Sequence, residues 1–304
     1  MMAGMDPELE AFAHLFPDID MTDPASARAI YAEMAASKPA ADTSAMQIED
    51  RIVPADPDVP VRIYRPHQAQ GAVIWLHGGG WIMGNLDTER PYASRVAEGS
   101  GAVVISVDYR LAPENPFPAA HDDAFAVLRW TAEHAAELGI DPERIAIGGH
   151  SAGGNLAAGV ALRARVEGGP SICFQLLNEA ALDDRQETWS QRTFTDTPWA
   201  TRETETVNWR QYLGPSASAP SVYAAPARAS DLSGLPPAYI ASAEFCPNRD
   251  EDIEYALRLL RAGVSVDLRQ WAGTFHGSQA ILSADVSQRQ IAEIGSALRR
   301  ALAA

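Results

Sequence analysis

Between residues 72 and 268 the chain alternates short apolar runs with longer stretches whose apolar residues recur every third or fourth position. The runs at 72–76, 102–107, 171–177, 239–243 and 264–268, with another beginning at Ile145, have little polar alternation. Strands covered on both faces read this way. Helical spacing predicts a helix near 90–98. A second, over 118–138, turns Phe125, Leu128 and Ala132 inward and is closed by Gly139. A third is marked by Ile253, Leu257 and Leu260 and closed by Gly263, and a last by Ile291, Ile294, Leu298 and Leu302. Residues 46–53 and 59–64 alternate like half-exposed strands joined by a Pro/Asp turn, which predicts an antiparallel hairpin at a sheet edge. Before them, Leu9, Phe12 and Phe16 and the stretch 27–36 predict peripheral helices. Residues 183–230 break the rhythm with Pro198, Pro215, Pro220 and Pro226 and with Trp189, Trp199 and Trp209, and read as an insertion over the sheet.

Such alternation implies an α/β fold: a mostly parallel, twisted sheet with helices on both faces, whose ligands bind outside the carboxyl ends of the strands. Three glycine-rich breaks fall at that edge. After Ile145 the chain runs into Gly149-His150-Ser151-Ala152-Gly153 and then an Ala-rich helix, the pattern of a nucleophile elbow. Ser151 is thereby held at a helix N-terminus, where unpaired N–H groups favour developing negative charge, and Ala152 offers one such N–H. His77-Gly78-Gly79-Gly80-Trp81 follows the strand at 72–76 and leaves bare N–H groups of the kind an oxyanion hole needs. Gly273-Thr274-Phe275-His276-Gly277 reads as a loop after the last strand, and His276 there can serve Ser151 as general base.

Composition narrows the partners. Lys plus Arg number 24 against 40 for Asp plus Glu, a formal net charge of -16, which argues against nucleic acid or an anionic membrane. Only Cys173 and Cys246 occur, so a disulfide framework is not expected and a cytoplasmic location is. The acidic start has no basic head, and no run approaches the roughly 18 apolar residues of a membrane span. Neither a signal peptide nor an anchor is expected. Scattered histidines without zinc-type spacing imply no metal.

The runs His77 to Trp81, Asp108-Tyr109-Arg110-Leu111-Ala112-Pro113-Glu114 and Gly149-His150-Ser151-Ala152-Gly153-Gly154-Asn155-Leu156 together resemble the hormone-sensitive-lipase-like branch of the α/β-hydrolases, bacterial carboxylesterases. The resemblance runs from about residue 46 onward. It implies an α/β-hydrolase fold with an eight-stranded sheet in residues 46–304, and a small helical cap built from the arm 1–45 and the insertion at about 183–230. It also implies Ser151 as nucleophile, His276 as base, and Gly79, Gly80 and Ala152 as oxyanion donors, with His77 and Asp108 ordering loops. No cofactor is implied. The expected activity is hydrolysis of small to medium carboxylic esters through an acyl-enzyme. The competing readings are a non-hydrolytic binding protein and an acyltransferase on the same fold. A small-molecule ester is the expected partner, and a homodimer remains open.

Two departures from the family pattern bear on the chemistry. His150 stands where many relatives carry an aspartate. In Cys246-Pro247-Asn248-Arg249-Asp250-Glu251, a cysteine stands where the catalytic aspartate is expected. A largely uncharged thiol is a poor acceptor for an imidazolium. The strand at 171–177 ends in Asn178-Glu179, one strand over from Cys246, and some α/β-hydrolases place their acid there. Glu179 is therefore the expected third triad member, with Asp250 and Glu244 as rivals and a Ser/His dyad as the remaining alternative.

Overall fold

The structure is a computed structural model and describes residues 4–14, 16–37, 42–67, 69 and 71–303. Residues 1–3, 15 and 38–41 of the expected arm lie outside the described residues. Eight strands form one sheet: β1 (Met46–Val53), β2 (Val59–Pro66), β3 (Ala72–Leu76), β4 (Val103–Val107), β5 (Ile145–His150), β6 (Phe174–Asn178), β7 (Ala238–Phe245) and β8 (Val266–Phe275). Their order is β1-β2-β4-β3-β5-β6-β7-β8, antiparallel only at β1/β2 and β2/β4. The edge hairpin expected from alternation is there, and β3 and β4 are buried along their whole length, as runs covered on both faces require.

Ten helices accompany the sheet among the described residues: α1 (Pro7–Ala13), α2 (Pro24–Ala36), α3 (Leu86–Ser100), α4 (Ala119–Glu133), α5 (Ala135–Leu138), α6 (Ala152–Glu167), α7 (Trp189–Thr193), α8 (Arg202–Leu213), α9 (Arg249–Arg261) and α10 (Asp285–Ala303). One face of the sheet packs against α4, α6 and α9, the other against α3 and α10. Helix α3 starts earlier than apolar spacing suggests, because Asn85 and Thr88 form a reciprocal capping box.

Four expectations need correction. Helix α9 exists, but Leu257 and Leu260 are 41% and 49% exposed; Tyr255, Ala256 and Leu259 face inward with the carboxyls of Glu251 and Asp252. The last strand is not 264–268 but runs on to Phe275, so most of the presumed glycine loop is strand. Strand β6 begins at Phe174, not at residue 171. Helix α1 ends at Ala13, before Phe16, and Phe12 is exposed.

The arm and the insertion both lie at the carboxyl edge. Arg28 of α2 donates to the carbonyls of Ile82 and Ala112 and pairs with Glu114. Leu9 packs with Phe194, Phe245 and Phe275. From the insertion, Trp209 and Tyr212 of α8 enclose Trp81, Tyr212 stacking on it at 4.3 Å. Trp189, by contrast, is 60% exposed.

Candidate active site

Strand β5 hands directly into α6 at Ser151, which adopts φ 55°, ψ −117°. A non-glycine residue is rarely held there, and neighbouring packing must enforce it. The flanking glycines are sterically required. A Cβ on Gly153 would lie 1.9 Å from the carbonyl oxygen of Leu76, and one on Gly149 would lie 2.4 Å from the same atom. The turn therefore closes only where two backbones meet without side chains. It leaves Ser151 beside the end of β3, buried but lining a cavity.

His276 follows the last residue of β8 and is brought to the same place: its Nε2 lies 3.0 Å from Ser151 Oγ. Its Nδ1 faces two groups, Cys246 Sγ at 3.2 Å and Glu179 Oε2 at 3.5 Å. The cysteine in the aspartate's place and the acid expected to replace it thus meet at one ring nitrogen. The rival acids do not reach it. Glu244 accepts from the N–H of Gly273 at 2.7 Å, and Asp250 accepts from the N–H of Ser190 at 2.8 Å and pairs with Arg249.

Glu179 is the first residue beyond β6, with φ 51° and only 1% exposure. Its N–H donates to the carbonyl of Ala241, and its Oε2 accepts from the N–H of Gly277. The segment after it is gripped from α9: Asp252 accepts from the N–H of Ala180, and Glu251 from those of Leu182 and Asp183. Those two buried acids, one ending the run where the family aspartate is missing and the other directly after it, pin the loop that carries Glu179.

Burial governs the protonation states. It pushes Glu179 up to about 8, opposed only by the Gly277 N–H, and pulls His276 down to about 4. Cys246 is held well above its ordinary value by burial and then by the nearby Glu179 and Asp252 charges, so it carries a neutral thiol. His150 is held well below its ordinary value by burial and then by His276. The amide nitrogens of Asn178 and Gln279 both donate to His150 Nδ1, which places its ring proton on Nε2. A neutral His150 adds no charge beside the His276 ring, 5.1 Å away.

Gly79 and Gly80 take φ +114° and +59°, and neither N–H is used by another backbone group among the described residues. The N–H of Ala152 opens α6, where it has no intrahelical acceptor. The loop is ordered mainly by Tyr109, whose hydroxyl donates to the His77 carbonyl and whose ring stacks on the His77 imidazole at 4.0 Å. Gly79, Gly80, Ser151 and His276 line one cavity with Met21, Tyr31, Trp199, Glu205 and Asn208. Tyr31, His150 and Trp199 also wall an adjoining, more apolar cavity with Phe16, Met34 and Leu282.

Sequence reading missed Glu205 and Asn208. The signal was present: they share the inward side of α8 with Trp209 and Tyr212, and polar residues on the buried side of an amphipathic helix call for an explanation. Among the described residues, the group whose ligand atoms lie close enough to hold a metal ion is His150, Glu179 and His276. Two of those three already face the Ser151 proton path, so an ion there would compete with base chemistry. No helix among the described residues is long and apolar enough to cross a membrane.

This geometry agrees with comparison to known proteins. Residues 73–280 match a family described as having the alpha/beta hydrolase fold. The chain is 44% identical over 242 residues to the carboxylesterase NlhH of Mycobacterium tuberculosis, covering 76% of this chain and 75% of the relative. Esterase LipI of the same organism is 44% identical over 230 residues, covering 74% and 72%. Among solved structures, a bacterial heroin esterase superposes with a TM-score of 0.93 at 44% identity, covering 98% of each chain. Esterase LipW from Mycobacterium marinum gives 0.88 at 40% identity, covering 98% of this chain and 96% of that one. With an eight-stranded sheet in hydrolase order and this degree of likeness, the chain belongs to the hormone-sensitive-lipase-like branch of the alpha/beta hydrolase family and is a carboxylesterase.

Proposed function

We propose that this carboxylesterase works through an acyl-enzyme on Ser151, with His276 as base and Glu179, not residue 246, as the acid. The observation that carries the reading is the pair of contacts on one imidazole: Nε2 at 3.0 Å from Ser151 Oγ and Nδ1 at 3.5 Å from Glu179 Oε2. Ser151 attacks the ester carbonyl while His276 Nε2 takes its proton. The tetrahedral oxyanion is held by the N–H groups of Gly79, Gly80 and Ala152. The imidazolium then gives its proton to the leaving alcohol, and water repeats the sequence in reverse.

The choice between Glu179 and Cys246 turns on the tautomer. A thiol proton donated to Nδ1 would put the ring proton on Nε2, pointing at Ser151, and leave no base. A carboxylate accepting from Nδ1–H fixes the opposite, productive tautomer and stabilises the imidazolium as it forms. The apolar walls formed by Phe16, Tyr31, Met34, Trp199 and Leu282 support small to medium esters as substrates. The positions of the arm and of α8 over Ser151 support their role as a cap. Two unpaired cysteines support a cytoplasmic location.

A fluorophosphonate probe followed by peptide mass mapping tests the nucleophile: the adduct is expected on Ser151, and labelling elsewhere or none at all contradicts the reading. The acid has its own signature. Its ionised form is needed and burial holds its value near 8, so kcat/KM is expected to rise with pH toward a plateau above about 8. Below that value the rate falls about tenfold per pH unit, the apparent value belonging to the Glu179/His276 pair. A profile flat from mildly acid to mildly alkaline pH contradicts it.

A further inference from the structure

The cavity beside Ser151 holds a polar pair that ester hydrolysis does not use. Glu205 and Asn208 stand one turn apart on α8 and line the same cavity as Ser151, Gly80 and His276. Glu205 is 4% exposed, and its carboxyl has no hydrogen-bond or ion-pair partner among the described residues. Asn208 Oδ1 is likewise buried without a partner. An unpaired buried carboxyl is costly, and a carboxyl with a structural task is normally given donors. Glu251 is the internal contrast: equally enclosed, it takes hydrogen bonds from Gln191 and from the N–H groups of Leu182 and Asp183. The Glu205 carboxyl is thus an ionisable acceptor in a space whose lining contains no Lys or Arg.

Resting on the reading of Ser151 as nucleophile, we propose that Glu205 and Asn208 form a subsite for the positively charged ammonium group of an amine-bearing ester. The Glu205 carboxylate supplies the charge, and Asn208, one turn on, lines the same space. Because this pair shares a cavity with Ser151, the ammonium lies a few bonds from the carbonyl under attack. Burial pushes the Glu205 carboxyl up to about 7, and a bound cation draws it back toward the ionised form.

The test compares acetylcholine with its uncharged isostere neohexyl acetate, which matches it in shape and lacks the charge. The kcat/KM ratio is expected to favour acetylcholine by about tenfold or more, the scale of one partly shielded charge contact. In Glu205→Gln the ratio falls to about one, and Glu205→Asp keeps part of it. A wild-type ratio of one or less overturns the proposal, as does a ratio that Glu205→Gln leaves in place. So does hydrolysis of p-nitrophenyl acetate by an enzyme that turns over neither isostere. Failure on p-nitrophenyl acetate itself strikes the Ser151 reading instead. If Glu205→Gln does not fold, competition on the wild type decides: tetramethylammonium inhibits neohexyl acetate hydrolysis more strongly than tert-butanol at equal concentration, and equal inhibition overturns the proposal.

Discussion

Ser151→Ala is expected to lower turnover of short aryl esters on the order of a millionfold, the scale of nucleophile loss in serine hydrolases. The change deletes one oxygen from a residue whose backbone is fixed by its neighbours: its N–H donates to the Asn178 carbonyl, and its carbonyl accepts from Asn155. The fold should therefore survive, although alanine inherits the φ of 55°. An unchanged circular dichroism spectrum with no p-nitrophenol release is the expected pair of results. A folded variant working at near the wild-type rate would mean that another group attacks the ester.

Glu179→Gln has the second largest expected effect, about ten-thousandfold in kcat, by analogy with the amide substitution of a serine-protease triad aspartate. The amide keeps nearly the same shape and can still accept from the Gly277 N–H. It can no longer offset an imidazolium charge, and its NH₂ can face Nδ1 and hold the ring in the wrong tautomer. Asp250→Asn and Glu244→Gln are the controls. Both acids are engaged elsewhere, with the N–H groups of Ser190 and Gly273, so each is expected to lose less than about tenfold, within the range of positioning effects. A collapse of either control alongside a mild Glu179→Gln would reassign the acid.

Much of this was readable from residues alone, and the failures share a cause. Strands β3 and β4 declared themselves because burial on both faces leaves no polar position to confuse the pattern. The elbow was legible because close backbone approach at Gly149 and Gly153 excludes every other residue. Helix α9 was found, but its face was misjudged: Ile253, Leu257 and Leu260 keep the period, while the buried side carries Glu251 and Asp252, which apolar counting assigns to solvent. Those acids are inside because they hold the N–H groups of the loop after β6. Glu205 and Asn208 escaped for the same reason, being polar groups turned inward. Glycine at position 273 disguised the end of β8 as a loop, since nothing in the sequence shows that Glu244 will take its N–H. Glu179 could be nominated from strand order, because β6 lies between β5 and β7. Its φ of 51° and its distance from Nδ1 belong to the folded chain.

The most direct measurement of the migrated acid is the turnover of Glu179→Gln with and without a second change, Cys246→Asp. Cys246 Sγ already lies 3.2 Å from His276 Nδ1, so an aspartate there returns a carboxylate to the same nitrogen. Glu179→Gln alone is expected to lose about ten-thousandfold, and adding Cys246→Asp to recover at least about a hundredfold of it. Glu179→Gln within about tenfold of the wild type would mean that Glu179 is not the acid that orients His276.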